Sequence, residues 1–505
     1  MSGNKRKSAI IAAAAAVSLT ACSSAGQQTQ SAGSSSPAVK PTLKVLGIWQ
    51  QDDYNTYPVA KMLEEKTGYK VQYDMLPQDK PEEKLNLLIA SNEAYDLVTT
   101  GSGATFNSIY FSFASQGALT DLTPLIDKYA PNVKSLVSQE SLDAFKVNGK
   151  LYAIPNRATD VVRNGIMVRT DWLEKLGMKA PSNLDEFVAM LKAFKEKDPG
   201  GNGDKNIPMT VRSDAPFIDN LVGAFGMANG WNDVGGKLIP RVLDPAFKDY
   251  VTFVGGLFKD GLLDKEFPVN KDATVKEKFA SGRAGAVPLG WSDVPAVSDA
   301  LLKNNPNAKI AYIPALKGAT GKYGHSLTVG FDRVSYIPKS AKNPEEAMKW
   351  INAKLEKETF KNLSIGEEGK HYTFKDGKYE PILPIFTTER NNANNYQTGV
   401  DEKLYPEYWQ ARVRKDPRLY EAWAFLNVNQ PKDTQIKDVI GSIPYSPDYT
   451  KYAQQLYVMA NDYTIKLIAG AEPASGIEAF IQKFNAAGGE ASVKEVNAWY
   501  SARKK

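Results

Sequence analysis

From residue 43 onward the sequence alternates strand-like and helix-like segments, and that alternation restricts the fold more than any other feature. Leu43-Lys44-Val45-Leu46-Gly47-Ile48 is a strand pattern, residues 58–67 carry Val59, Met62 and Leu63 at i, i+3 and i+4, and Lys70-Val71-Gln72-Tyr73 is a second strand. Pro81-Glu82-Glu83 opens a helix with acidic groups at its positive end and Leu85, Leu88 and Ile89 as its buried stripe. Asp96-Leu97-Val98-Thr99 is a third strand, ending at Thr100-Gly101-Ser102-Gly103. This order predicts an α/β sheet with parallel crossovers. The loops after its strands, residues 49–55 and 100–105, are where open α/β sheets place ligands.

The chain has 505 residues, 42% of them hydrophobic, enough at roughly 100–200 residues per domain for two or three domains with a sizeable core. Lys5, Arg6 and Lys7 supply three of the net +5 charges, so the body is nearly neutral and carries no nucleic-acid signature. A single cysteine, Cys22, excludes an intrachain disulfide, a cysteine zinc cluster and a redox pair. Two histidines, His325 and His371, leave little material for His-based metal sites or triads.

Residues 1–21 read as a signal peptide: Lys5-Arg6-Lys7 is a basic n-region, and the apolar run of residues 9–19 falls far short of the ~20 residues that span a bilayer. Leu19-Thr20-Ala21-Cys22 looks like a bacterial lipobox, whose cysteine thiol is lipidated before cleavage leaves it as the first residue. An ordinary secretory cut after Ala21 would put bulky Leu19 where small residues are preferred. Residues 22–41, the lipidated cysteine and a Ser/Ala/Gly/Gln/Thr/Pro tether, cannot bury enough apolar surface to offset ordering entropy. No later segment reads as transmembrane.

Trp49-Gln50-Gln51-Asp52-Asp53 after the first strand, Tyr95-Asp96-Leu97-Val98-Thr99-Thr100-Gly101, Gly149-Lys150-Leu151-Tyr152-Ala153-Ile154-Pro155, and Arg169-Thr170-Asp171-Trp172-Leu173-Glu174-Lys175-Leu176-Gly177-Met178 followed by Pro181 carry a resemblance. In this order, behind a lipobox, they resemble the lipoprotein solute-binding components of ABC importers, within the oligosaccharide-binding branch related to maltose- and alginate-oligosaccharide-binding proteins. The resemblance spans most of residues 43–505 and weakens after about Lys370. It implies a type II periplasmic-binding-protein-like fold, with two α/β lobes and a ligand cleft that closes between them. Lobe 1 would comprise residues 42–160 plus 332–385, and lobe 2 residues 161–331 plus 386–505. The chain crossings are then expected near residues 159–164, 328–333 and 381–391. The implied role is a monomeric receptor, held at the cell membrane by its lipid, that hands an oligosaccharide or related polar solute to ABC permease subunits.

Sugar rings offer flat C–H faces and a rim of hydroxyls, so a sugar site needs aromatic platforms with amide, carboxylate or guanidinium partners. Trp49, beside Gln51 and Asp52, ends the first strand, and Trp231 lies in the polar turn Asn229-Gly230-Trp231-Asn232-Asp233. Trp291, in Pro288-Leu289-Gly290-Trp291-Ser292, matches the family position where an aromatic residue after a strand reaches the cleft. For each of the three, a half-buried packing role is the competing reading. Trp172, Trp350 and Trp423 fall on amphipathic helices and read as packing residues, and Trp409 is open to either role. Ser102, Asn156 and Arg157 are polar candidates near the expected cleft, and Arg390 with Asn391, Asn392, Asn394 and Asn395 forms an amide-rich loop that could rim it.

Asp198, Asn202 and Asn206 fall at the first, fifth and ninth positions of a twelve-residue calcium loop, with Asp204 offering a carbonyl at the seventh and Gly203 the turn. Gly200 at the third position and Met209 where a bidentate Glu would sit depart from that pattern, so a structural calcium site and a plain glycine-rich connection both stand as readings. The rival functional class is a secreted carbohydrate hydrolase working with two carboxylates. Against it stand the absence of a Gly-x-Ser-x-Gly elbow, a His-Glu-x-x-His helix or a Walker loop, and the ordered binding-protein motifs. An adhesion lipoprotein would fit the anchor but not the α/β pattern.

Overall fold

Leu43, Val45 and Leu46 are all buried, so the first strand is covered on both faces, as a central strand of a helix-flanked sheet must be. In the computed structural model, which describes residues 39–503 apart from 160 and 214–218, it pairs parallel with Val71–Met75 on one side and Leu97–Gly101 on the other. Two antiparallel strands complete the sheet: Phe331–Tyr336 beside Leu97–Gly101, then Ala153–Arg157 at the edge. The signal segment, Cys22 and the tether to residue 38 lie outside the described residues.

The intervening helix Pro58–Thr67 starts with proline at its first turn, buries Val59, Met62 and Leu63, and stops at Gly68 in the left-handed region (φ 67°). Helix Pro81–Ala90 buries only Leu85 fully, with Leu88 and Ile89 half-buried against the same core. The third strand begins one residue after Asp96. That side chain accepts the backbone N–H groups of Lys44 at 2.9 Å and Asn343 at 2.8 Å, tying the first strand to the start of helix Pro344–Lys354.

A second core gathers around Trp172, Phe187, Phe194 and Tyr250. Its sheet runs Ile310–Tyr312, Asn164–Arg169, Ala284–Gly290, Ile207–Met209. The helix Pro447–Ile468 packs on it beside Phe247–Lys259 and Glu490–Arg503 and also touches helix Ala104–Ser115 of the first lobe. Between the cores, Val161–Val162, His325–Thr328 and Gln435–Asp438 form a three-stranded ribbon at the crossings.

The third crossing lies later than residues 381–391. Tyr396, Val400, Tyr405, Tyr408 and Ala411 are buried in the first core, whereas Leu419 and Trp423, on helix Pro417–Asn427, pack beside Trp291 of the second lobe. Residues 386–411 thus pack with the first core, and the chain crosses after Ala411, Val413 already clustering with Leu419 and Trp423. The physical reason is that these aromatic side chains find their apolar partners in the first core. Among the described residues no helix is long and apolar enough to cross a membrane.

A solute-binding cleft between the two lobes

A cavity of about 530 Å³ opens where the crossings meet. Ser102, Asn107 and Phe111 line it from the first lobe, Arg163 and Asp332 from the crossing strands, and Tyr449 from the long second-lobe helix. Ser102 is placed by its own backbone N–H, which donates to the Asp332 carbonyl at 2.9 Å, and its hydroxyl donates to Asn107 Oδ1 at 3.1 Å. Arg163 and Asp332 form a half-exposed ion pair at 3.3 Å that joins two of the crossings. Gly441, on the second-lobe wall, abuts the backbone of Val329 and Gly330, and a Cβ at either glycine would press into the opposite main chain.

Two further cavities flank the first on the second lobe. One, of about 190 Å³, is lined by Trp231, Tyr449 and Tyr457. The other, of about 260 Å³, holds a chain of alternating charges: Arg212 to Asp272 at 2.9 Å, Lys276 to Asp272 at 2.7 Å and Lys276 to Asp293 at 2.9 Å. Burial pushes the Asp272 carboxyl up, but hydrogen bonds from Lys276 and Arg212 bring it below the usual carboxylate range. Beneath this wall Asp438 is half-buried, and desolvation raises it to about 6 against backbone N–H groups of Ile440, Trp231 and Gly230 and the charge of Arg241.

The residues singled out from sequence distribute over several places. Trp49 is 43% exposed at the end of the first strand. Gln51 and Asp52 are exposed beside it, and Asp52 accepts a hydrogen bond from Asn392 Nδ2 at 2.6 Å. Ser102 lines the main cavity and Trp231 the smaller aromatic one. Trp231 is only 9% exposed, its ring set edge-on to Tyr449 at 5.8 Å. Trp291 is half-buried, edge-on to Trp409 at 5.5 Å, with Trp423 behind at 5.6 Å. Asn156 faces inward: it is 2% exposed, and its side-chain carbonyl holds the Gly399 N–H at 2.6 Å. Arg157 is half-buried at the end of the same strand.

Sequence reasoning missed Tyr449, Tyr457, Arg163 and Asp332. The Pro-rich punctuation of Pro444-Tyr445-Ser446-Pro447 could have marked the start of the helix whose first turn brings Tyr449 to the cleft.

The Asp198–Met209 loop does not assemble a calcium cage. Both Asp198 oxygens accept backbone N–H groups, from Asn202 at 2.9 Å and Gly203 at 2.7 Å. The Asn202 and Asn206 amides donate to the carbonyls of Gly282 and Phe194 at 2.9 and 2.8 Å, and Asp204 is exposed on a short 3-10 turn. Met209 is buried in the strand Ile207–Met209, and a side chain at Gly200 would press into Asn202 and the Trp172 ring. Among the described residues no three His, Cys, Asp or Glu side chains gather as a metal site.

Two α/β lobes joined by three crossings, with a polar and aromatic cavity at their junction, define a two-lobed solute-binding protein of the type II periplasmic-binding-protein-like class. The chain belongs to the bacterial extracellular solute-binding protein family, whose sequence profile matches residues 49–359. It is 27% identical to the lipoprotein LipO of Bacillus subtilis over 97% of both chains. It is 26% identical to the polygalacturonan/rhamnogalacturonan-binding protein YtcQ of the same species, over 92% of this chain and 93% of that one. Its fold matches the Streptococcus pneumoniae substrate-binding protein FusA, solved as an EF-hand mutant with fructo-nystose, at a TM-score of 0.71 and 20% identity over 92% of this chain and 99% of that one.

Proposed function

We propose that this chain is the substrate-binding lipoprotein of an ABC importer, capturing an oligosaccharide by lobe closure and delivering it to a membrane permease. The observation that carries this reading is the 530 Å³ cavity walled by both lobes and by the crossings, because a solute touching both walls favours the closed state by its differential affinity. The names of YtcQ and FusA, both saccharide-binding, support the solute class. Trp49, Gln51, Asp52, Ser102, Arg157, Trp231 and Trp291 remain the proposed sugar contacts from sequence, joined by Tyr449 and Tyr457; Asn156 instead positions the Gly399 loop.

The solute leaves unaltered. Asp332 and Asp272, the carboxylates lining the two polar cavities beside Asp293, are ion-paired to arginine or lysine, whereas a glycosidase acid needs a raised pKa and an unpaired face. The anchor is lipid on Cys22, which places the body at the outer face of the cell membrane, and LipO's name as a lipoprotein supports it.

A thermal-shift panel of oligosaccharides, followed by mass spectrometry of the recovered solute and small-angle scattering, tests the proposal. Stabilisation, an intact solute and a smaller radius of gyration are expected. A cleaved solute would replace the receptor with an enzyme. Cys22→Ser should abolish labelling by a fatty-acid analogue while binding persists.

A further inference from the structure

Three cations from distant parts of the chain converge on the first-lobe loop of residues 391–395, near the lobe boundary marked by the Trp291–Trp409 contact. Arg333 follows the cavity residue Asp332 and pairs in register with Gly101, the neighbour of Ser102. Arg412 lies one helical turn beyond Trp409, whose ring meets Trp291 of the opposite lobe. Lys415 follows that helix and donates to Asn391 Oδ1 at 2.5 Å.

Their partners are all neutral. Arg333 donates to Asn395 Oδ1 at 2.8 Å, and its Nε is buried with no hydrogen-bond partner. Arg412 donates to the carbonyls of Arg390 and Asn391 at 2.8 and 2.6 Å and to Asn394 Oδ1 at 2.9 Å. Its strongest electrostatic neighbours are the phenols of Tyr405 and Tyr57 and the like charges of Arg333 and Arg390. Among the described residues none of the three cations forms an ion pair.

The carboxylates nearby are engaged elsewhere: Asp332 with Arg163 at 3.3 Å, Asp416 with Arg418 at 2.9 Å and Glu389 with Lys370 at 2.8 Å. Asp52 is bound to the Asn392 amide, and it and its neighbour Asp53 are exposed and touch no cation among the described residues. Two exposed carboxylates against three half-buried cations still leave an excess of positive charge, and burying charge without a counter-ion is costly. Holding two loop carbonyls accounts for where Arg412 sits. It does not account for Lys415, nor for the undonated Nε of Arg333.

We propose that Arg333, Arg412 and Lys415 form an anion subsite of the cleft, so that the transported saccharide carries an anionic oxygen group, a carboxylate or a phosphate. Guanidinium groups match such groups by charge-assisted, two-point hydrogen bonds, and the exposed Trp49 ring and the Asn391, Asn392 and Asn395 amides supply the neutral contacts of the same sugar. Lys415 adds a pH signature. Burial and the neighbouring Arg412 lower it to about 8, with Asp416 acting in the opposite sense, so affinity for an anionic sugar falls as pH rises through about 8.

This inference rests on the oligosaccharide-receptor reading, and the test separates the two. Calorimetry compares trigalacturonate, maltose phosphate and the neutral galactotriose and kestose on the wild type, on Lys415→Gln and on the charge-keeping Arg412→Lys. Support is binding of an anionic probe about tenfold or more tighter than its neutral counterpart, lost about tenfold in Lys415→Gln, weakened by salt and partly lost in Arg412→Lys, which keeps the charge but not the two-point geometry. Trigalacturonate or maltose phosphate as the better ligand identifies the carboxylate or the phosphate. Tight binding of a neutral probe, unchanged in Lys415→Gln, overturns the anion subsite and leaves the receptor standing. Binding of no probe by a folded protein overturns both.

Discussion

The two walls of the cleft manage charge in opposite ways. On the second lobe Arg212, Asp272, Lys276 and Asp293 form a closed chain of ion pairs beside the aromatic pair Trp231–Tyr449. On the first lobe Arg333, Arg412 and Lys415 donate hydrogen bonds to amides and carbonyls only. A wall whose charges neutralise each other offers a solute flat aromatic faces and little net field, whereas the other retains its field for whatever docks there. On the proposed reading, shape recognition and charge recognition sit on different lobes, so a solute that collects both must bridge them, and bridging favours the closed state.

The largest expected departure concerns Asp438, a half-buried second-lobe acid outside that neutral chain. Asp438 binds its proton more tightly folded, at about 6, than unfolded, near its ordinary value of 3.8. Its contribution is therefore fully present below the unfolded value and lost as pH rises through about 6, a slope worth about 3 kcal/mol over the window. Urea unfolding from pH 4 to 6 should show that fall in the wild type and a flatter profile in Asp438→Asn. Parallel profiles would mean that the backbone N–H groups of Gly230, Trp231 and Ile440 hold the carboxylate charged throughout.

Next in size is the aromatic face. Tyr449 borders both the 530 and the 190 Å³ cavities and supports Trp231, so Tyr449→Ala should lose about 2 kcal/mol of binding, roughly thirtyfold in Kd. Calorimetry with the best oligosaccharide of the panel measures it. An unchanged Kd would move sugar recognition to the first lobe alone.

Trp291 is expected to matter less for binding than its position in sequence implies. Its ring is edge-on to Trp409 across the lobe boundary, a contact worth about 1 kcal/mol. Trp291→Ala and Trp409→Ala should each destabilise the protein, with a double-mutant coupling near that value, while affinity falls less than tenfold. A thirtyfold affinity loss without a stability change would make sugar stacking, rather than the Trp409 contact, the main role of Trp291.

How much of this was legible in the sequence follows the range of the interactions. Helix Pro58–Thr67 and the first three strands stand out because Val59, Met62 and Leu63, or Leu43, Val45 and Leu46, repeat with local periods. The last crossing does not, since Tyr396, Tyr405 and Tyr408 would be equally apolar against either lobe and only the tertiary fold decides. Asn156 reads as a loop polar residue after Ile154-Pro155, yet the strand runs on to Arg157 and turns its amide inward. The amide-rich residues 391–395 were visible as a loop. Their partners Gln50, Asp52, Arg333 and Arg412 were not, because nothing local couples positions so far apart.

The smallest effect is expected from calcium, and it bears on whether the second lobe is as self-sufficient in charge as its cleft wall. Asp198, in the left-handed region at φ 41°, caps two N–H groups of its own loop, the work a cation-ligating carboxylate would otherwise give up. A site filled at a hundredfold its dissociation constant would add about 2.7 kcal/mol to unfolding. Urea midpoints in millimolar calcium and in chelator should therefore coincide for the wild type. Asp198→Ala should lower the unfolding free energy by about 1–2 kcal/mol in both solutions, because the Asn202 and Gly203 N–H groups lose their acceptor with or without metal. A calcium-dependent midpoint that vanishes in Asp198→Ala would show that the carboxylate exchanges its backbone donors for an ion, and the loop would then need to open around Gly201 and Gly203, the two residues free of any neighbour at their Cβ positions.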